Sequence, residues 1–254
     1  METKDEKQET AVQQKALPLA EKQSREIVQA AKKGFESVIS GLDFNREAQF
    51  AIQILSGNDY LRKCESNSIK NAIVNVALTG VTLNPALKLA YLIPRKGKCT
   101  LEISYIGMIE IALNSGIVKD VYAEVIYEND EFYYEKGTNP YIKHTPKLSD
   151  KGKMIGAYAI AVLPNNEKHF EVMGADEIEK TKNTSESKTS DYSPWKNWES
   201  EMWKKTAVKR LFKYLKKGLN EKLLNALDVE SQNEKLDYEQ TKTSKFDDFE
   251  IIND

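Results

Sequence analysis

The amino-acid sequence predicts an α+β fold in which a central, mostly antiparallel β-sheet is flanked by helices at both ends. Apolar residues recur at helical spacing from residue 25 to residue 80. Short segments that alternate apolar and polar residues follow between residues 88 and 173, and helical spacing returns after residue 193. Strands grouped between two sets of helices, without a strict strand–helix alternation, favour the α+β class.

Three helices are predicted before the strands, and each has a local signal at one of its ends. They run from Arg25 to Ser40, from a cap at Asp43 or Asn45 to about Leu55, and from Ser66 or Asn67 to Gly80. Asp, Asn and Ser accept hydrogen bonds from the free N–H groups at a helix start, and glycine readily ends a helix.

The middle of the chain is predicted to form strands. Lys88–Pro94 and Cys99–Ile106 flank residues 95–98 (Arg-Lys-Gly-Lys), which predicts a hairpin with a basic tip. Further strands are expected over residues 118–127, 131–134, 154–163 and 169–173, with helices over 107–114 and 175–182 and a loop at 143–146. Ser193 and Pro194 predict a helix start, and a short last helix is expected over 219–227.

Charge is distributed unevenly along the 254 residues. The net charge of −2 combines −6 on residues 228–254 and −1 on residues 1–24, which leaves +5 on residues 25–227. We therefore expect a mobile N-terminal segment (1–24), one basic folded domain (25–227) and an acidic, disordered C-terminal tail (228–254). A basic body favours a polyanionic partner. The tail could compete with that partner, dock another protein or only aid solubility.

Several classes of function lack their sequence signals. The chain has no apolar run of about 18 residues, which disfavours a membrane partner, and its two cysteines, Cys64 and Cys99, have no metal-binding or redox spacing. A reducing cytoplasm is the simplest location. No glycine-rich phosphate loop or nucleophile motif occurs, and there are only two histidines. We therefore expect no catalytic residue, cofactor or metal, and interpret the chain as a binding protein rather than an enzyme.

The segment from Met202 to Gly218 contains seven basic residues and no acid. On a helix, four of its lysines fall within an arc of about 80°, beside an apolar arc of about 100°. One face could then pack on the core while the other presents a row of cations. Because acids do not intersperse this row, we expect a polyanion to neutralise it.

Two other positive segments, the predicted hairpin tip and residues 143–153, also have aromatic residues nearby. Cations that neutralise phosphates, with aromatic rings available for stacking, are typical of single-strand binders. The candidate DNA-binding residues are Arg95, Lys96, Lys98, Tyr105, Lys143, His144, Lys205, Lys209, Arg210, Lys213 and Lys216.

The order of several short motifs resembles the RecT/Red-beta family of phage single-strand annealing proteins, over roughly residues 40–227. The motifs are Ala77-Leu78-Thr79-Gly80 with Pro85, Tyr91-Leu92-Ile93-Pro94, Tyr105-Ile106-Gly107-Met108-Ile109, Ser115-Gly116, Lys143-His144-Thr145-Pro146, Gly156-Ala157-Tyr158-Ala159, and Met202 with Lys204-Lys205-Thr206-Ala207-Val208-Lys209-Arg210.

The resemblance implies an ATP-independent annealing protein that pairs complementary strands in phage-type recombination. It further implies binding of single-stranded DNA and annealed duplex DNA, assembly into a homo-oligomeric ring or helical filament, and partners such as the phage exonuclease and the host single-strand-binding protein. Its setting would be the cytoplasm of a bacterial host, with residues 25–227 as the annealing and oligomerisation domain.

Three alternatives stay open on the sequence alone. The chain could coat single-stranded DNA without annealing it, or serve as a scaffold that has no affinity for nucleic acid. It could also be a metal-dependent nuclease that uses Asp130, Glu131 and Glu135 with Lys136, although acids around a turn are usually just solvated.

Overall fold

The computed structural model describes residues 19–184, 193–215 and 221–233. Helices precede, interrupt and follow a set of antiparallel strands, so the predicted α+β class is confirmed. The helices are α1 (Leu19–Gln29), α2 (Lys32–Glu36), α3 (Phe44–Ser56), α4 (Asp59–Arg62), α5 (Ser66–Thr79), α6 (Tyr105–Asn114), α7 (Ala175–Thr184), α8 (Pro194–Asn197), α9 (Glu199–Tyr214) and α10 (residues 221–233). The strands are β1 (Ala90–Arg95), β2 (Lys98–Ile103), β3 (Asp120–Tyr127), β4 (Glu131–Glu135), β5 (Tyr141–Thr145), β6 (Met154–Val162) and β7 (Lys168–Gly174).

Strands β1 and β2 form the predicted hairpin with a basic tip. Lys96 and Gly97 occupy the turn with φ angles of 53° and 76°. Two central residues with positive φ match the type I′ turn, whose twist suits a two-residue hairpin. Glycine adopts this conformation without strain, so Gly97 is the residue type that the turn requires.

The central sheet has the strand order β3-β6-β7, and its two faces are covered by different elements. Ala157, Ala159 and Ala161 of β6 are fully buried in the cluster that contains the apolar residues of α9. Their small side chains let the helix approach the sheet closely. Tyr158 and Ile160 point to the opposite face because side chains alternate along a strand. The β4–β5 hairpin covers that second face.

Strand β5 corrects the prediction of a loop at residues 143–146. Tyr141–Thr145 pairs with β4 in antiparallel register, and Phe132 lies opposite His144. The segment was hard to recognise as a strand because lysine and histidine lack the apolar alternation of a typical strand. Its inward residues, Ile142 and His144, pack instead on the aromatic residues of the second sheet face.

The ends of the folded part also differ from the prediction. The helix expected from Arg25 to Ser40 is divided into α1 and α2, and α1 begins at Leu19. Residues 1–18 of the predicted N-terminal segment lie outside the described residues. Helix α10 runs from residue 221 through the predicted boundary at 227 to residue 233, and Val229, Glu230 and Asn233 are buried.

Helix α6 packs so closely on the start of β1 that one position accepts only glycine. A Cβ atom added to Gly107 would lie 2.2 Å from the carbonyl oxygen of Leu89. Because the clash is with a backbone atom, rotation of a side chain could not relieve it. The Tyr105-Ile106-Gly107 motif therefore has a packing explanation.

We expect Gly107→Ala to lower the free energy of unfolding by about 3 kcal/mol, because overpacking a closed site forces the backbone apart. The measurement is urea denaturation followed by circular dichroism. Gly174→Ala is the matched control, since a Cβ atom there meets nothing within 4 Å. Equal stability of the two variants would show that α6 does not approach β1 this closely.

Candidate nucleic-acid interface

The tip of the β1–β2 hairpin carries exposed lysines on a fixed backbone. Lys96 and Lys98 are exposed. The N–H of Glu65 donates to the carbonyl of Gly97 over 2.8 Å, and the N–H of Cys99 donates to Ser68 Oγ over 2.8 Å. Glu65 at the start of α5 and Ser68 in its first turn thus hold the hairpin tip in place, and its cations are presented from a rigid element.

Two lysines of α9 do not face outward as predicted. Lys205 and Lys209 are each only 8% exposed. Lys205 Nζ contacts the carboxylate of Glu102 on β2 and lies 3.0 Å from Glu230 Oε2 on α10. Lys209 Nζ lies 3.6 Å from the same Glu230 oxygen. The prediction of one outward row of cations is wrong for these two residues, because α9 is covered by β2 and α10 as well as by the central sheet.

The two acids of this buried cluster respond to it in opposite directions. Burial works to raise the pKa of Glu102, but Lys205 and Arg95 outweigh burial and hold it below its usual range. Burial and the neighbouring Glu102 charge raise the pKa of Glu230. Burial would lower the pKa of Lys205, yet the two carboxylates raise it. Lys205 is therefore a structural cation that stays protonated.

Arg95 connects the cluster to the hairpin. Its Nη2 atom lies 2.8 Å from Glu102 Oε2, on the side of the carboxylate that Lys205 does not use. Glu102 thereby joins the tip of the basic hairpin to α9. Glu102, which no sequence motif marks, therefore brings the hairpin tip and the lysine-rich helix α9 together.

Helix α10 completes the arrangement by covering the outer edge of β2. Glu230 Oε1 accepts from the N–H of Ile103 over 2.8 Å, and Asn233 Nδ2 donates to the carbonyl of Leu101 over 2.9 Å. These side chains replace the hydrogen bonds of a third strand. The apolar spacing of Leu223, Ala226 and Leu227 predicts this helix, but the predicted boundary at residue 227 leaves Glu230 in the acidic tail.

The remaining cations of α9 divide between paired and exposed positions. Arg210 Nη1 lies 2.5 Å from Glu177 Oε1, and Lys204 Nζ lies 3.6 Å from Glu124 Oε2. Lys213 is exposed near the end of the helix, and Lys216 lies outside the described residues. The segment from Met202 onward lacks acids, but Glu201 in the first turn of α9 and acids of β2, β3, α7 and α10 pair with its cations, so the helix does not need a polyanion to relieve repulsion.

His144 is a buried packing residue on the second sheet face. Its Nε2 atom lies 3.0 Å from Asp130 Oδ2, and its Nδ1 atom lies 3.2 Å from the hydroxyl of Tyr158. Asp130 also accepts from the N–H groups of Tyr127 and Lys147. Burial opposes ionisation of Asp130, but these hydrogen bonds lower its pKa. Lys143, the next residue to His144, points outward and is exposed.

Tyr105 is half-buried beside α9. Burial, followed by a hydrogen bond to Glu201, raises the pKa of Tyr105 to about 12. The neighbouring acids Glu201 and Glu124 make this position unfavourable for a phosphate, so the contact with α9 accounts for Tyr105 better than stacking on a base.

The acids of the nuclease alternative do not converge. The carboxylate of Asp130 is occupied as described, and Lys136 Nζ lies 3.0 Å from Glu171 Oε2. In the three ranges that the structure describes, His, Cys, Asp and Glu residues form no group of three or more that could hold a metal ion. In the same ranges, every helix is too short or too polar to cross a bilayer.

The structure therefore sorts the candidate residues onto two surfaces. Arg95, Lys96 and Lys98 lie at the tip of the β1–β2 hairpin, and Lys205 of α9 contacts Glu102 of the same hairpin. Lys143 and His144 lie on the β4–β5 hairpin. Because α9 and the β4–β5 hairpin cover opposite faces of the central sheet, the positive segment at residues 143–153 and the one on α9 lie against different faces of that sheet.

These features define an α+β protein in which a basic hairpin and a lysine-rich helix are braced by shared buried acids. A model of the RecT family matches residues 45–245, from α3 to beyond α10. The chain belongs to the RecT family, so the resemblance seen in the sequence motifs is confirmed. Protein RecT of Escherichia coli (strain K12) is 37% identical to it over 163 residues. The match covers 61% of this chain, and the chain spans about 60% of that relative's length.

Removal of Lys205 should act on stability. We expect Lys205→Ala to lower the free energy of unfolding by about 3–5 kcal/mol, because two buried carboxylates lose their shared cation. Lys213→Ala, on the same helix but exposed, should change it by less than about 0.5 kcal/mol. Urea denaturation measures both. A Lys205→Ala variant that keeps wild-type stability but loses DNA affinity would place this lysine outside the buried cluster.

Proposed function

We propose that this protein binds single-stranded DNA and anneals complementary strands without a nucleotide, in recombination that starts from an exonuclease-resected DNA end. Membership of the RecT family over residues 45–245 is the observation that carries this proposal. The matched residues include the basic hairpin, the central sheet and α9. In this function the protein is a binding protein and has no catalytic residue.

The hairpin tip supports the proposal with a surface suited to phosphates. Lys96 and Lys98 project from a turn that two hydrogen bonds fix, so DNA binding would restrict little conformational freedom beyond that of the two lysine side chains. Phosphate contacts position a strand without reading its sequence, as annealing of arbitrary complements requires. Arg95, Arg210 and Lys213 are further candidate contacts. We assign Lys205 and Lys209 the role of bracing this surface.

Annealing needs no chemical fuel in this scheme. Each stacked base-pair step supplies about 1.4 kcal/mol, so the paired product is favoured without ATP. The protein has to hold the backbone, keep the bases available and bring two strands together. These tasks need fixed cations and a rigid frame.

We further propose, from the family resemblance, that the protein assembles as a homo-oligomeric ring or helical filament in the cytoplasm of a bacterial host. The annealed duplex would be its product. The phage exonuclease and the host single-strand-binding protein are its proposed partners. The acidic residues beyond 233 lie outside the described structure and are the proposed docking segment.

The first test is an annealing assay with two labelled complementary oligonucleotides and no nucleotide cofactor. We expect the protein to accelerate duplex formation. A protein that only coats DNA would slow pairing, because it would occupy bases or strands without aligning them. End-labelled DNA incubated with magnesium or manganese should stay intact, and its cleavage would favour the nuclease alternative.

The hairpin tip can be tested with a variant that removes charge and keeps the turn. In Lys96→Asn/Lys98→Gln, asparagine at position 96 suits the positive φ of a type I′ turn. We expect weaker binding of every single-stranded sequence. The slope of log affinity against log salt should flatten by about 1.4, since each lost phosphate contact contributes about 0.7 on single strands.

Lys33→Gln/Lys180→Gln is the control for this variant. It removes the same charge from exposed positions on α2 and α7, so it should leave the slope unchanged. If both double variants flatten the slope equally, the effect comes from net charge alone and the hairpin tip is not a binding site.

A further inference from the structure

The outer face of the β4–β5 hairpin presents aromatic rings and a cation to solvent. Tyr133 lies directly opposite Lys143, and Tyr141 lies opposite Glu135. Tyr133 is 61% exposed and Tyr141 is 51% exposed. Tyr141 and Lys143 share one face of β5 and are about 7 Å apart along the strand, since each residue advances a strand by about 3.3 Å. The two rings are diagonal neighbours on that face.

The loop after β5 continues this surface with three more exposed lysines: Lys147, Lys151 and Lys153. The loop is fastened to the turn between β3 and β4. The N–H of Glu128 donates to the carbonyl of Lys153 over 2.9 Å, and the N–H of Asn129 donates to that of Lys151 over 3.1 Å. The ammonium group of Lys151 lies 5.0 Å from the ring centroid of Tyr127. The lysines are therefore held near the base of the hairpin.

The inner face of the hairpin makes this surface rigid. The Phe132 ring stacks on Tyr158 with centroids 5.7 Å apart, and the rings of Phe132 and His144 meet edge-to-face at 5.5 Å. Asp130 binds His144 on β5 and the N–H of Lys147 in the loop. Hairpin and loop are thus joined by one buried carboxylate, and the outward side chains have a fixed backing.

We propose that this face is a second surface for single-stranded nucleic acid, separate from the hairpin tip of β1–β2. The backbone would follow Lys143 and the loop lysines, and bases would stack on Tyr133 and Tyr141. Residues 141–153 contain four lysines and one acid, Asp150, which gives this stretch a net charge of +3 with histidine neutral. Glu131 and Glu135 line the β4 side, so the strand would lie towards β5 and the loop.

The position of the surface gives it a role in the proposed annealing function, on which this inference rests. It lies across the central sheet from α9, so a strand held there does not compete with one on the β1–β2 side. Exposed tyrosines beside lysines are the composition that holds single strands without sequence preference. An incoming second strand is the nucleic acid that such a separate surface would take.

The decisive experiment combines substitution with photocrosslinking. In Tyr133→Thr/Tyr141→Thr, threonine keeps the strand propensity of both positions. A first, unlabelled DNA strand is bound to the wild-type protein. A second DNA strand of the same length that carries 5-iodouracil is then added, and the mixture is irradiated. We expect crosslinks at Tyr133 and Tyr141, and an annealing rate in the double variant about tenfold lower, which is the size of effect that loss of base stacking gives.

Two controls separate this inference from its alternatives. Tyr60→Ser removes another tyrosine, 77% exposed on α4, and should anneal at the wild-type rate. First-strand affinity of the Tyr133→Thr/Tyr141→Thr variant should stay within about twofold of wild type, because the phosphate contacts proposed for Lys96 and Lys98 are untouched. A change in its oligomer distribution by sedimentation would overturn the proposal and make the face a contact between copies.

The two proposals fail in different ways. If wild type anneals but the tyrosine variant anneals equally fast and no crosslink forms at either tyrosine, the second surface is refuted and the function stands. If wild type does not accelerate annealing, the proposed function is refuted. Crosslinks to both tyrosines would even then support this face as a nucleic-acid surface, and their absence would refute it.

Discussion

The shared ion cluster of Glu102, Lys205 and Glu230 is the interaction on which the arrangement of the basic elements depends. It joins β2, α9 and α10, and Arg95 extends it to the tip of the hairpin. Buried charges are costly to desolvate, and such a cluster is stable only when each member keeps its partners. Because Glu230 also completes the edge of β2, loss of one charge would disturb the helix packing and the hairpin together.

The central sheet explains why the positive segments separate. In β6, alanines face α9, whereas Tyr158 and Ile160 face the β4–β5 hairpin. Small residues admit a helix, and large ones fill the space beneath a two-stranded hairpin. A strand has a period of two, so this alternation fixes which element covers which face. The cations of α9 and of the β4–β5 hairpin are therefore carried on opposite faces of the sheet, and Lys204 reaches round the β3 edge to Glu124.

Elements with local signals could be predicted from the sequence, and elements defined by distant partners could not. Asp43 caps α3 as predicted, by accepting from the N–H of Arg46 over 2.8 Å. The β1–β2 hairpin followed from its turn residues. The inward direction of Lys205 depends on Glu102, which is 103 positions away in the chain. Strand β5 likewise depends on contacts of His144 with Asp130 and Tyr158, which no local pattern reveals.

The two DNA-binding surfaces proposed above, the β1–β2 hairpin tip and the outer face of the β4–β5 hairpin, are separated by the central sheet. This separation limits how annealing can proceed. Packed layers stand about 10 Å apart, so two strands held on opposite faces of one subunit cannot pair while both remain in place. Pairing would then require that the second strand leaves its tyrosines, or that the surfaces of neighbouring subunits face each other. Stacking without specific hydrogen bonds is suited to the first route, since a strand held by ring faces and lysines can exchange one base at a time. Asp130 and His144 hold the β4–β5 hairpin rigid. Only the DNA strand would therefore have to move during this exchange.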